Sequence, residues 1–194
     1  TDFVARDSDF QATVRAIAEV ATGVADIEAL KGAKLGEKTV EEVVTEKVAT
    51  IGENMHVRRM VAVEGDSVAS YVHNAVADGL GKIGVLVALK GTDTGIGKQI
   101  AMHIAAFSPS VLTRDEIDAE VVENERRVAE ATAKEEGKPE AALPKIVEGR
   151  LNGFFKSIVL LEQASLSDNK KTVKQVAEEA GTTITGFVRY EVGA

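Results

Sequence analysis

Two amphipathic runs separated by Gly137-Lys138-Pro139 constrain this chain more than any other feature. Between Thr113 and Glu136, positions Ile117, Val121, Asn124, Val128 and Ala131 step by 4, 3, 4 and 3, a heptad seam on an otherwise charged helix. After the Gly-Lys-Pro break, Leu143, Ile146, Val147, Leu151, Phe154, Ile158 and Leu161 mark one side of a second helix. Two helices joined so tightly must run antiparallel. Their seams are narrow and their flanks charged, so the spacing predicts a hairpin standing out from a globular body.

That body has enough material for a core. The chain has 194 residues, of which 44% are hydrophobic and 28% charged, an ordinary folded composition. A net charge of −8 argues against broad binding to a phosphate backbone, so no direct nucleic-acid partner is expected. No cysteine is present, which excludes disulfides, a thiol nucleophile and a cysteine–zinc site. No apolar run approaches the roughly 20 residues that span a bilayer, and no signal peptide is visible, so no membrane partner is expected and a cytoplasmic location is. The chain starts with Thr instead of Met and is expected to be a fragment.

The remaining elements follow from period and punctuation. Asp7-Ser8-Asp9 has helix-entry chemistry ahead of Phe10, Val14, Ile17, Ala18 and Ala21, with Gly23 as the stop. Asp26 to Leu30 reads as a helical turn and Lys31 to Lys38 as a loop. Thr39 and Glu42 form a capping-box pair before the stripe Val40, Val43, Val44 and Val48. Beyond Gly52 the pattern predicts a strand over residues 57–63, a second at Val68, Tyr71 and Val72, a polar connection from Asn74 to Gly81, and a buried strand from Ile83 to Lys90. These three strands would form an antiparallel meander. Helical spacing returns from Ile96 to Phe107, where His103 reads as half-buried. After the Ser167-Asp168-Asn169 loop, Thr172 to Ala180 reads as a helix. Thr183 to Val192 alternates Ile184, Gly186, Val188, Tyr190 and Val192 against Thr185, Phe187, Arg189 and Glu191, a final strand. The fold class is α+β.

No motif asks for covalent chemistry. Gly79-Leu80-Gly81-Lys82-Ile83-Gly84 has dinucleotide-fingerprint spacing, but it leads into a strand and not a helix. Gly91 to Gln99 resembles a phosphate loop with one residue too many and no Ser or Thr after Lys98. His56, His73 and His103 are far apart and lack zinc-like spacing, so no metal or cofactor is expected. A scaffold that dimerises through the hairpin is one alternative, and an NTPase resting on the two glycine motifs is another.

Several stretches, in order, resemble the elongation factor Ts family, the guanine-nucleotide exchange factors of the translation GTPase elongation factor Tu. They are Thr1-Asp2-Phe3-Val4-Ala5, Ile51-Gly52-Glu53-Asn54 with Arg58-Arg59, Tyr71-Val72-His73, Ile83-Gly84-Val85-Leu86-Val87 and Met102-His103-Ile104-Ala105-Ala106. Gly137-Lys138-Pro139, Val147-Glu148-Gly149-Arg150, Leu160-Leu161-Glu162-Gln163 and Val188-Arg189-Tyr190-Glu191-Val192-Gly193 complete the set. The resemblance implies two related α+β subdomains with antiparallel sheets and packed helices, at 1–66 and at 67–112 with 161–194. A helical hairpin would be inserted at 113–160, and in some family members it mediates homodimerisation.

The resemblance also changes the reading of Thr1 to Val4. Composition and position alone make these residues a frayed end. By the family match, Phe3 wedges between two helices of the GTPase nucleotide-binding domain and Asp2 disturbs the magnesium region, with Thr1 and Val4 flanking. Ile51, Gly52 and His73 match positions that anchor the same partner. The chain itself would perform no covalent chemistry and carry no cofactor. The location would be cytoplasmic, of bacterial type or organellar origin. Two departures from the family pattern stand out: an N-terminal three-helix, ubiquitin-associated-like domain is missing from this sequence, and the segment from Asn74 to Lys82 is longer than in many relatives.

Overall fold

The computed structural model describes residues 1–193. Ala194, the last residue of the expected 161–194 segment, lies outside them. The chain is an α+β protein that divides into two compact units. One comprises Thr1–Val63 and Val72–Lys82. The other comprises Glu64–Tyr71 and the chain from Ile83 onward.

The first unit begins with a one-turn helix α1 (Asp2–Ala5), then α2 (Ser8–Ala21) and α3 (Ile27–Gly32). Asp7 caps α2 by accepting from Phe10 N–H at 2.8 Å, and Asp26 caps α3 by accepting from Ala29 N–H at 2.8 Å. The expected loop at 31–38 is more ordered than its composition suggests. Its start completes α3, and β1 (Lys34–Leu35) pairs antiparallel with β2 (Lys38–Thr39) around Gly36, whose φ of +70° makes the turn. The capping box forms as the sequence predicts: Thr39 Oγ1 accepts from Glu42 N–H at 3.2 Å and Glu42 accepts from Thr39 N–H at 2.7 Å. These bonds open α4 (Val40–Ile51), which Gly52 closes at φ +79°. Val40 and Leu30 are buried at the centre of this unit.

The strand expected at 57–63 does not form; residues 54–64 carry no regular secondary structure. From Val57 onward the partly buried residues are Val57, Met60 and Val63, spaced by three. A strand with one buried face needs a spacing of two. Instead β3 (Ser67–Ala77) and β4 (Leu80–Lys90) form a long hairpin that turns at Asp78-Gly79, so most of the expected 74–81 connection is strand. The third strand is not the expected one either. β5 (Thr183–Glu191) pairs antiparallel along the other side of β4, from Ile83↔Glu191 to Lys90↔Thr183.

In the second unit, Ile83, Val85, Val87 and Leu89 of β4 pack on Ile100, Ala101 and Ile104 of α5 (Ile96–Phe107). The hairpin is α6 (Ala119–Glu135) and α7 (Leu143–Ile158), and α8 (Val173–Glu179) closes over the core through Val173 and Ala177. α6 starts later than the sequence predicts, because Arg114–Glu116 forms a 3-10 turn and Asp118 caps the helix. Its end is a Schellman motif at the predicted break: Gly137 has φ +71°, its N–H donates to Lys134 O, and Lys138 N–H donates to Ala133 O.

Two faces differ from expectation. On α6 Ala129 packs with Val147, Leu151 and Phe155 of α7, and Ala133 is also buried, while Val121 and Val128 of the predicted seam are 49% and 51% exposed. A small residue lets two backbones approach closely, so Ala129 takes the seam and the larger Val128 beside it does not. On β5 the register jumps from Ala88↔Gly186 to Leu89↔Ile184. Thr185 is the extra residue of a β-bulge, which reverses the parity of the strand. Phe187 therefore joins Ile184 at the core, instead of Val188 and Tyr190.

Candidate functional site

Thr1 to Val4 are a folded turn. Thr1 is the N-cap of α1, its Oγ1 accepting from Val4 N–H at 3.4 Å. In one helical turn consecutive side chains diverge by about 100°, and here that separates two apolar residues. Val4 is buried, whereas Phe3 is 86% exposed, the most exposed of the large hydrophobic residues described. A bare phenyl ring forfeits its hydrophobic stabilisation, so the turn displays it at a cost of roughly 2 kcal/mol relative to burial.

The turn is held from three directions. Thr1 Oγ1 donates to Glu53 Oε1 at 2.6 Å, next to Ile51 and Gly52 at the end of α4. Ala5 O accepts from Gln11 Nε2 of α2 at 2.9 Å. Lys82 Nζ on β4 lies 3.1 Å from Asp2 Oδ1. The Lys82 hydrogen bond and charge, with a smaller contribution from Arg6, hold the Asp2 carboxyl below its ordinary value.

Lys82 is itself placed by the hairpin tip. A Cβ on its neighbour Gly81 would sit 2.6 Å from His73 O and 2.6 Å from Val72 Cγ1, so only glycine lets the two strands approach this closely. His73 is exposed on β3. The tip is tied to α2 where Arg15 Nη2 donates to Asp78 O. One unit thus carries all the site residues named from sequence: Asp2 and Phe3 on the turn, Thr1 linked to Glu53 beside Ile51 and Gly52, and His73 on the strand facing Gly81. Sequence reasoning missed Lys82 and Glu53. Both are charged residues far from Thr1–Val4 in the chain, and only the fold brings them in.

The rejected motifs have structural occupations. Gly79 to Gly84 is the hairpin turn and the start of β4. In the Gly91–Gln99 loop, Asp93 Oδ1 accepts from Gly95 N–H at 2.9 Å and Gly97 N–H at 3.0 Å. Its carboxylate takes the donors that a phosphate would need. His103 is fully buried, not half-buried: it is 1% exposed and stacked on Phe107. Leu166 N–H donates to Nδ1 at 3.1 Å, which leaves the proton on Nε2 to donate to Gln163 Oε1 at 2.8 Å. Gln163 Nε2 donates in turn to Ser157 O at 2.8 Å. Burial pushes the His103 pKa down, partly opposed by Gln163. Among the described residues, no group of three or more His, Asp or Glu is placed to hold a metal ion. No helix among the described residues is long and apolar enough to cross a membrane.

The site is thus an exposed aromatic ring beside an ion-paired carboxylate on an α+β chain. The sequence model of the family described as Elongation factor TS matches residues 1–194. Proteins named Elongation factor Ts are similar along the whole chain: 55% identity over 193 residues in Dinoroseobacter shibae, 58% over 197 in Corynebacterium aurimucosum and 51% over 195 in Mycobacterium tuberculosis. The chain spans 66% of the first of these relatives and 72% of the other two. It belongs to the elongation factor Ts family.

Proposed function

We propose that this chain is the exchange-factor core of a bacterial-type translation elongation factor, acting in the cytosol on elongation factor Tu. The observation that carries the reading is Phe3, an almost bare ring on a turn braced by Thr1–Glu53 and Asp2–Lys82. An exposed aromatic on a braced support is a ready anchor for a partner's pocket. Phe3 enters between two helices of the GTPase nucleotide-binding domain, and Asp2 perturbs the magnesium region. Ile51, Gly52 and His73 contact the same partner and keep the wedge seated. The chain binds the nucleotide-free conformation better than the loaded one, so GDP leaves faster. No bond is made or broken by the chain, and it needs no cofactor. In the family's terms its organisation is two subdomains, 1–66 and 67–112 with 161–194, and the hairpin module at 113–160, whereas the compact units give residues 72–82 to the first.

The test is release of labelled GDP from elongation factor Tu with and without the chain. Acceleration is expected. Unchanged release together with no binding to the nucleotide-free GTPase contradicts the reading.

The exposed Val121 and Val128 on α6 favour a second role, homodimerisation through the hairpin. Light scattering of the chain against a Val121→Glu/Val128→Glu variant tests it. A fall from dimer to monomer mass supports the role, and a monomeric wild type rules it out.

A further inference from the structure

We propose that Lys82 is a positioning residue for the wedge: it holds the Asp2 carboxylate against the β3–β4 hairpin tip, and so fixes the turn that presents Phe3. The inference rests on the exchange-factor reading above and assigns a role to a residue that reading leaves out.

Three observations converge on it. Asp2 and Lys82 are separated by most of the first unit's sequence, yet their charged atoms lie 3.1 Å apart. Lys82 follows Gly81, whose missing Cβ lets β4 press against the His73 and Asn74 carbonyls of β3. The base of the lysine is therefore set by backbone packing, and the tip is braced to α2 by Arg15 and Asp78. The turn needs such a hold. α1 is one turn long, and a helix this short does not sustain itself in water. Val4 fixes one side of it by burial and Gln11 fixes its end, but Asp2 and Phe3 lie on the outward side, where Lys82 is the side chain that reaches Asp2. Lys82 ties the wedge to the strand pair carrying His73, so the two partner-contacting parts move as one.

The pair is solvent-exposed, with side-chain exposures of 54% and 74%, so its effect is modest and falls with added salt. Lys82→Ala is expected to slow GDP release about two- to fivefold, the range of an exposed ion pair, and Lys82→Arg to restore most of the rate. In an Asp2→Ala background Lys82→Ala should cost nothing further, because its effect passes through Asp2. Nitrogen-15 relaxation of the free chain supplies a readout independent of exchange: Lys82→Ala should raise the fast mobility of the Asp2 and Phe3 amides and leave Val40 unchanged. Unchanged order at residues 2 and 3, or a full additional loss in the Asp2→Ala background, overturns the positioning role. If Lys82→Ala loosens the turn but the wild-type chain neither accelerates GDP release nor binds nucleotide-free elongation factor Tu, the exchange-factor reading fails and the positioning of the turn by Lys82 stands.

Discussion

The N-terminal turn and the base of the helical hairpin are organised by different means. At the turn every fixing contact of Thr1 and Asp2 is a surface hydrogen bond or ion pair, and the largest apolar group points outward. At the hairpin base a buried hydrogen-bonded chain is joined by a partly exposed ion pair that lies over an aromatic ring. His103, Gln163 and the Ser157 carbonyl form a closed hydrogen-bonded chain. Arg114 lies 4.1 Å from the Phe155 ring centroid and forks onto Glu162 at 2.5 and 2.8 Å. Ser110 and Val111 N–H both reach Ile158 O, and Leu160 N–H returns to Val111 O. The contrast teaches where stability and contact are each stored. Buried networks are costly to break and specify one arrangement, whereas exposed pairs order a turn cheaply and leave its apolar group for a partner.

Mutations at the two regions should separate stability from exchange. The largest stability effect is expected for Gln163→Ala, which strands His103 Nε2–H and Ser157 O. Denaturant unfolding should show a loss of about 3 kcal/mol, with the rate of exchange retained where the chain remains folded. Gly81→Ala sits on the other side of the comparison. Its Cβ meets His73 O at 2.6 Å, so the hairpin tip must shift. A loss of about 2 kcal/mol is expected in unfolding, accompanied by slower exchange because His73 and Lys82 move with the tip. A stability loss with unaltered exchange would separate the tip from the contact surface.

Near pH 6 acid should act on the hairpin base, because the turn carboxylates Asp2 and Glu53 are held below their ordinary values and protonate only at lower pH. His103 is buried neutral with its folded pKa pushed below the unfolded value of about 6.5. The unfolded state therefore binds more protons as pH falls below about 6.5. Stability should drop by up to about 1.4 kcal/mol per pH unit there, until the folded pKa is reached. Thermal unfolding of His103→Leu should lose this slope near pH 6. Gly52→Ala, at φ +79°, has a smaller expected effect, about 1 kcal/mol of left-handed strain at the end of α4, read from denaturant unfolding.

Local helix chemistry was more legible in the sequence than the turn. Local chemistry announced the Thr39–Glu42 capping box, the α5 stripe of Ile100, Ala101 and Ile104, and the Gly137 stop. Each involves residues within a few positions of one another, where period and capping operate. The failures were non-local. Thr185 shifts the facing of Phe187 only because β4 dictates where the bulge falls. Ala129 takes the seam in place of Val128 beside it only because α7 is close. The turn's dependence on Lys82 and Glu53 carries no sequence pattern, since exposed charges are interchangeable until a fold pairs them. Asp2 and Phe3 were named by resemblance; their periodicity and composition indicated only a mobile end.

The central claim is that Phe3 is displayed for a partner and contributes little to the fold. Its most direct test pairs GDP release from elongation factor Tu with thermal unfolding, for the wild-type chain and Phe3→Ala. The account predicts release slowed by a factor of about 30, the equivalent of a hot-spot loss of about 2 kcal/mol, with a melting temperature within about 2 °C of wild type. Wild-type release by Phe3→Ala, or a melting temperature that falls in step with activity, would contradict it.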